Sequence, residues 1–305
     1  MRNQTVPRLS GAAPRPLRHT LDRIAILNNS GHEPGHRTHL TDLLAEHWRA
    51  SGIEVIELSG TRSFVEADLL FLNLSRPIVP EEYNRFAAQY PVTFNAGAGD
   101  LRKHRYSSGL LQAGAAYRGA VIVKSDQGYI GPSTSERASL LRRLTGLTRT
   151  AAPREAIAND NYRIYPSLND VPAEKFAPGY IVQKFLPEES AGRYILRQYH
   201  FLGDEHFLSL QTSGAAIIRT SIPQSLEEWT PPQELLDLRA RLGLDYGRID
   251  FVEAGGKPFV ISVARSPVLP VSKEPGFVPP AYFRLAEALA DAMAHIYSTT
   301  EKAVF

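Results

Sequence analysis

Lys124 closes the apolar run VIVK and is followed by SDQGYIG, a loop holding Gly128 and Gly131. A lysine there, with the backbone N–H groups of a glycine loop, can meet a polyphosphate. No Gly-Lys-Ser/Thr follows the glycines, so this is not a Walker A loop, and a lysine at a strand end is also an ordinary solvated edge residue. In YIVQKFLPEES an apolar run ends at Phe185-Leu186-Pro187 and passes into Glu188 and Glu189. An adenine can lie against such a linker while a carboxylate takes the ribose hydroxyls; a strand end with a charged turn reads the same way. In GRIDFV, alternation puts Arg248 and Asp250 on one strand face. Asp250 is then a hard oxygen ligand for Mg2+ and Arg248 a stabiliser of phosphoryl charge, or the two belong to a structural ion pair with a neighbouring strand. Finally, GHEPGHRTHL carries His32, His36 and His39. On a helix they would gather around a metal, but Pro34 and Gly35 break it. A loop and helix start is expected instead, where His36 and Arg37 meet an anionic group such as a carboxylate, or simply cap and solvate the helix.

The elements that must position these residues are legible as patterns. RIAIL, ADLLFLNLS and PVTF read as buried strands and IEVIELS as an alternating one; HRTHLTDLLAEHWRASG and PEEYNRFAAQY read as helices. Strand, helix, strand, strand, helix, strand predicts an open α/β unit with a parallel sheet over residues 23–100. Beyond it the texture becomes α+β. AVIVKS, GYIVQKFLP, RYILRQYHFL, EHFLSLQT and AAIIRTS are predicted strands, and residues 149–163 a polar connector. ERASLLRRLTGL, PPQELLDLRARLGL and PAYFRLAEALADAMAHIYSTT are predicted helices, and GRIDFV and FVISVA a hairpin about EAGGKP.

The chain has 305 residues, 43% hydrophobic and 22% charged, enough for two or three compact units. A net charge of +2 is too small to argue for nucleic acid or a membrane surface. The absence of cysteine excludes disulfides and thiolate sites and suits a reducing cytoplasm. No run approaches the ~20 apolar residues that span a bilayer. The first 22 residues, basic and without an apolar core, read as a disordered tail rather than a secretory signal. A homodimer is compatible with the sequence, which is silent on oligomeric state.

Taken in order, GHEPGHRTHLTDLLAEHWR, LRKHRYS, VIVKSDQGYIG, VQKFLPE, YILRQYHFLGD and LGLDYGRIDFV resemble the ATP-grasp superfamily, in particular bacterial members with a PGHRTHL segment near the N-terminus. The resemblance implies ATP gripped between two subdomains, here 101–190 (the lid) and 191–305, behind an N-terminal α/β domain at 23–100 that helps form the acceptor site. It implies a ligase that activates a small-molecule carboxylate as an acyl phosphate for attack by an amine or thiol. By the same resemblance Lys103 and Lys124 hold the ATP phosphates and the loop Gly128 to Gly131 covers them. Gln183, Phe185 and Leu186 belong to the adenine hinge, with Glu188 or Glu189 at the ribose. Arg219 is a basic phosphate contact, Arg248 steadies the acyl phosphate, and Asp250 is the first Mg2+ ligand.

One motif departs from the family. Its members close the hairpin with a carboxylate, one residue, then Asn, as in E-x-N-x-x-P; this chain has Ser262-Val263-Ala264-Arg265-Ser266-Pro267. Neutral Ser262 and ligand-less Ala264 remove two of the three protein ligands, which weakens Mg2+ binding and slows phosphoryl transfer. Arg265 would restore some positive charge, but alternation turns it away from Ser262 and Ala264. Three readings follow: an ATP-dependent ligase with a reduced metal shell, a catalytically impaired pseudoenzyme that binds nucleotide or regulates, and a kinase on the same fold.

Overall fold

The structure, a computed structural model, describes residues 21–30, 39–127, 162–218, 223, 225–270 and 277–302. The basic tail, the loop with His32, His36 and Arg37, the Gly128–Gly131 loop, the helix expected in ERASLLRRLTGL, and Arg219 lie outside the described residues.

The first sheet holds β1 (Arg23–Asn28), β2 (Glu54–Ser59), β3 (Leu69–Asn73) and β4 (Val92–Phe94) in the order β2-β1-β3-β4, every neighbouring pair parallel. This is the open α/β unit predicted. β1 and β3 are unbroken apolar runs because both of their faces are covered. Ile24, Ile26, Leu69 and Phe71 pack in one core with α1 (Leu40–Ala50), while Ala25, Leu27, Leu70 and Leu72 pack in another with α2 (Glu81–Ala87). α1 starts at His39, whose backbone N–H donates to the Asp42 carboxylate at 2.8 Å, and Gly52 follows it with a φ of 85°.

The second sheet is antiparallel: β5 (Leu110–Leu111), β6 (Val121–Ser125), β7 (Arg163–Tyr165) and β8 (Tyr180–Lys184), in the order β5-β8-β6-β7. β7 begins where the sequence reads as a connector. Its outer residues Arg163 and Ile164 are exposed and only Tyr165 is buried, so no periodicity marks it.

The third sheet has six strands: β9 (Glu188–Ser190), β10 (Arg193–Leu202), β11 (Glu205–Ser213), β12 (Ser225–Glu228), β13 (Tyr246–Ala254) and β14 (Lys257–Ala264). They run β12-β11-β10-β13-β14, with β9 also on β10. The expected strand in AAIIRTS does not form over residues 215–218, of which 215–217 are bends and 218 has no regular structure. The outer edge of β11 is taken by β12, and an apolar run makes a strand only where it has a ladder to join.

Helices α3 (Gln233–Leu242) and α4 (Pro280–Lys302) complete the chain. Leu235, Leu238 and Leu242 of α3 cover one face of the third sheet, against Tyr199, Phe201, Ile249 and Phe251. α4 lies against α1, and the Trp48 indole donates to the Ala290 carbonyl at 3.2 Å. The first and third sheets are joined again at Asn95. Its side-chain oxygen accepts from the Asp245 and Tyr246 N–H groups at 2.9 and 3.0 Å, and its own N–H donates to the Asp245 carboxylate at 2.7 Å. Beside it Gly243 ends α3 at φ 63°, where an added Cβ would lie 2.6 Å from the Gly97 carbonyl carbon. Among the described residues no helix is long and apolar enough to cross a membrane.

Candidate functional site

Two lysines from separate segments meet between the second and third sheets. Lys103 opens a short 3-10 turn, Lys103–Arg105, whose N–H donates to the Asp126 carbonyl at 2.9 Å. Lys124 sits on β6, and both side chains are buried. Each ammonium lies over the Tyr162 ring, at 6.0 Å for Lys103 and 5.9 Å for Lys124. Burial disfavours their charged forms. It pulls Lys103 down to about 8 against the support of Asp126, and pulls Lys124 down to about 7, helped by Lys103 and opposed by Asp250. Tyr162 itself is pushed up to about 12 by burial.

Lys124 donates to the Gln183 side-chain oxygen at 2.7 Å, and the Gln183 amide donates to the carbonyls of Ser108 at 2.8 Å and Val260 at 3.0 Å. One buried glutamine thus links β6 and β8 to β14. Its side chain is spent on protein partners. Further along the segment the Phe185 N–H donates to the Ala120 carbonyl at 2.9 Å, and Leu186 is half-buried. Glu188 accepts from Arg197 at 2.7 and 3.0 Å and from the Glu253 N–H at 2.8 Å. Glu189, on the opposite face of β9, is exposed. Of the two carboxylates proposed for a ribose, Glu189 is the one whose side chain is open to solvent.

On the third sheet stand Arg248 and Asp250 of β13, with Asp250 close enough to Lys124 to support its charge. They form an ion pair with each other, Nε to Oδ1 at 2.8 Å and Nη2 to Oδ2 at 3.2 Å, rather than with a neighbouring strand. Burial works against the guanidinium charge, but Asp250, Tyr282 and Tyr246 together outweigh it and raise its pKa. The Gln198 amide adds a second hydrogen bond to Asp250, at 3.1 Å, beside that from Arg248 Nη2. In the hairpin Asp250 pairs with Ser262 and Arg248 with Ala264, because the register shifts between Asp250 and Phe251 and leaves Ile261 without a partner. Without that bulge Ile261 and Val263 would face the ion pair.

This donor set does not fit a divalent metal. Asp250 has both oxygens committed, Ser262 offers only a neutral hydroxyl, and Ala264 has no donor. Among the described residues no group of three or more His, Cys, Asp or Glu side chains could hold a metal ion. His39 lies away from any such cluster, with its ring nitrogen 3.1 Å from the Ser75 hydroxyl. Arg265, which follows the end of β14, also stays out of the cleft. Its guanidinium is buried and donates to the carbonyls of Leu74, Arg76 and Ala98 beside the first sheet.

The residues that fit together are cationic. Lys103, Lys124 and Arg248 against Asp250 make a site suited to an anion, since buried ammonium groups recover from desolvation when an anion neutralises them. Sequence reasoning missed Tyr106, Tyr162 and Gln198. Tyr106 lies in the same LRKHRYS segment as Lys103, and Gln198 alternates into register with Asp250 once β10 and β13 are paired. Tyr162 carried no local signal.

No protein-family model and no curated protein matches the sequence. Among solved structures the chain is similar to a RimK domain ATP-grasp protein from Sphaerobacter thermophilus, at 14% identity over 88% of this chain and 98% of that one, with a TM-score of 0.42. It is also similar to the macrocyclase MdnC of Microcystis aeruginosa, bound with its precursor peptide MdnA, at 13% identity over 90% and 99% of the two chains and a TM-score of 0.42. A further likeness is to D-alanine–D-alanine ligase from Bacillus anthracis complexed with ATP, at 12% identity over 93% and 100% of the two chains and a TM-score of 0.42.

Proposed function

We propose that this chain is an ATP-grasp protein that holds ATP between its second and third sheets and acts as an ATP-dependent ligase joining a small-molecule carboxylate to an amine or thiol. The observation that carries the reading is the convergence of Lys103 and Lys124, buried and facing Tyr162, with Asp250, the partner of Arg248, acting on Lys124. Two ammonium groups kept out of water at one place have a physical reason if a polyphosphate enters between them. ATP supplies the phosphoryl group when bound. On this reading Lys103 and Lys124 orient its phosphates, the loop of Gly128 and Gly131 covers them, and Arg219 adds a phosphate contact. Phe185 and Leu186 flank the adenine and Glu189 meets the ribose, while Gln183 holds Lys124 in place. Arg248 faces the charge that develops on the transferred phosphoryl group.

A second reading, an impaired pseudoenzyme that binds nucleotide without turning it over, is favoured by neutral Ser262 standing opposite Asp250 and by Ala264 lacking a donor. ADP release from ATP, followed over a panel of carboxylates paired with amines and thiols, separates the two. Carboxylate-dependent ADP release supports the ligase. ATP binding without turnover supports the pseudoenzyme, and failure to bind ATP defeats both.

A further inference from the structure

We propose that this site takes the polyphosphate of its nucleotide without a divalent cation, its charge met by Lys103, Lys124 and Arg248, and that Asp250 is the counter-ion that orients Arg248 rather than a metal ligand. The proposal rests on the nucleotide reading above and specifies how the charge is neutralised there.

Mg2+ is held at nucleotide sites by one or two carboxylates together with phosphate oxygens, and it dehydrates reluctantly. In the cross-strand row Ser262-Asp250-Gln198-Ser209, Asp250 is the one carboxylate among the described residues, and its hydrogen-bonding is directed within the protein. Oδ1 meets Arg248 at 2.8 Å and Gln198 at 3.1 Å, and Oδ2 meets Arg248 at 3.2 Å. To bind a metal it would have to release a largely buried guanidinium, and an unpaired buried charge is costly. The neighbouring carboxylates are committed as well. Asp126 accepts from the His104 N–H at 2.8 Å and lies 2.7 Å from the His104 ring nitrogen. Glu188 is forked by Arg197.

The cationic side has the opposite character. The hydrogen-bond acceptor of Lys124 is the neutral amide of Gln183, and among the described residues neither Lys103 nor Lys124 has a carboxylate in ion-pair contact. Lys103 and Arg248, with Lys124 partly charged near neutral pH, outweigh Asp250 before any ligand arrives, Asp126 being bonded to His104. A free polyphosphate completes that balance, whereas a metal–phosphate complex brings less negative charge to a site with no ligand for its metal.

Calorimetric titration of ATP into the full chain, once in EDTA and once in excess Mg2+, tests this. The affinity in EDTA is expected to equal that in Mg2+ within about threefold, or to exceed it. A tightening of about tenfold or more on adding Mg2+ overturns the proposal and leaves the nucleotide reading standing. Absence of binding in both buffers overturns the two together. Asp250→Asn gives a second arm with an opposite sign for the two roles. As a counter-ion, Asp250 repels the ligand, so the variant binds ATP in EDTA at least as tightly as the wild type. A loss of about tenfold or more confined to the Mg2+ buffer would mark a metal ligand and sink the proposal. The wild-type comparison decides the matter even where Asp250→Asn folds poorly.

Discussion

At the scale of single residues, the cleft stores its charge in two lysines that burial holds down to about 8 and about 7. The sign of the linked stability follows. An unfolded lysine titrates near ~10.4, so between about pH 7 and 10 the unfolded chain binds more protons than the folded one. Charged, buried lysines therefore destabilise the ligand-free protein fully below about pH 7, and that penalty is relieved as the pH rises. Thermal unfolding of the ligand-free chain is expected to show a Tm that climbs from pH 7 to 9. In Lys124→Met the climb is flatter, the Tm at pH 7 is higher, and ATP binding is weaker by about tenfold or more, the loss of one charge-assisted hydrogen bond. A Lys124→Met protein with unchanged ATP affinity would remove Lys124 from the site. Lys124 was legible in the sequence because its strand ends where a glycine loop begins. Its partner Tyr162 was not, since the ring reaches the lysines from 38 positions along the chain with no motif of its own.

At the scale of elements, Gln183 ties the second and third sheets together beside the Ser108–Val260 hydrogen bonds. Gln183 accepts from Lys124 on β6 and donates to Val260 on β14 and to Ser108 between them. Gln183→Leu keeps a similar volume but strands the Ser108 carbonyl and an ammonium, the Val260 carbonyl keeping the Ser108 N–H, and is expected to cost about 2–4 kcal/mol. The check is a shift of the urea midpoint with an unchanged slope. Strands with buried faces were readable from apolar runs, as β1, β3, β6 and β8 illustrate. The short strands β7, β9 and β12 were not, since they are largely exposed and exist by pairing with an edge already formed. AAIIRTS erred in the other direction, apolar enough for a strand but beside an edge occupied by β12.

Across the whole molecule, Arg265 ties the end of the third sheet to the first unit through the carbonyls of Leu74, Arg76 and Ala98. Burial pulls its guanidinium down to about 10, with Asp100 opposing the fall. Arg265→Met leaves those carbonyls unpaired and is expected to lower stability by about 3 kcal/mol or more, measured by thermal unfolding, while ATP affinity, read at a temperature where the variant is folded, stays near that of the wild type. A selective loss of ATP binding would instead place Arg265 in the cleft. The sequence by itself determined the parallel α/β unit, the hairpin about Gly255-Gly256, and the shared face of Arg248 and Asp250, because periodicity and turn residues are local properties of the chain. Only the tertiary structure decided that Arg248 and Asp250 pair with each other, that a bulge at Ile261 brings Ser262 opposite Asp250, and that Lys103 and Lys124 meet over Tyr162. Those outcomes depend on how separate sheets close on one another, where burial and charge are settled by neighbours far away in the chain.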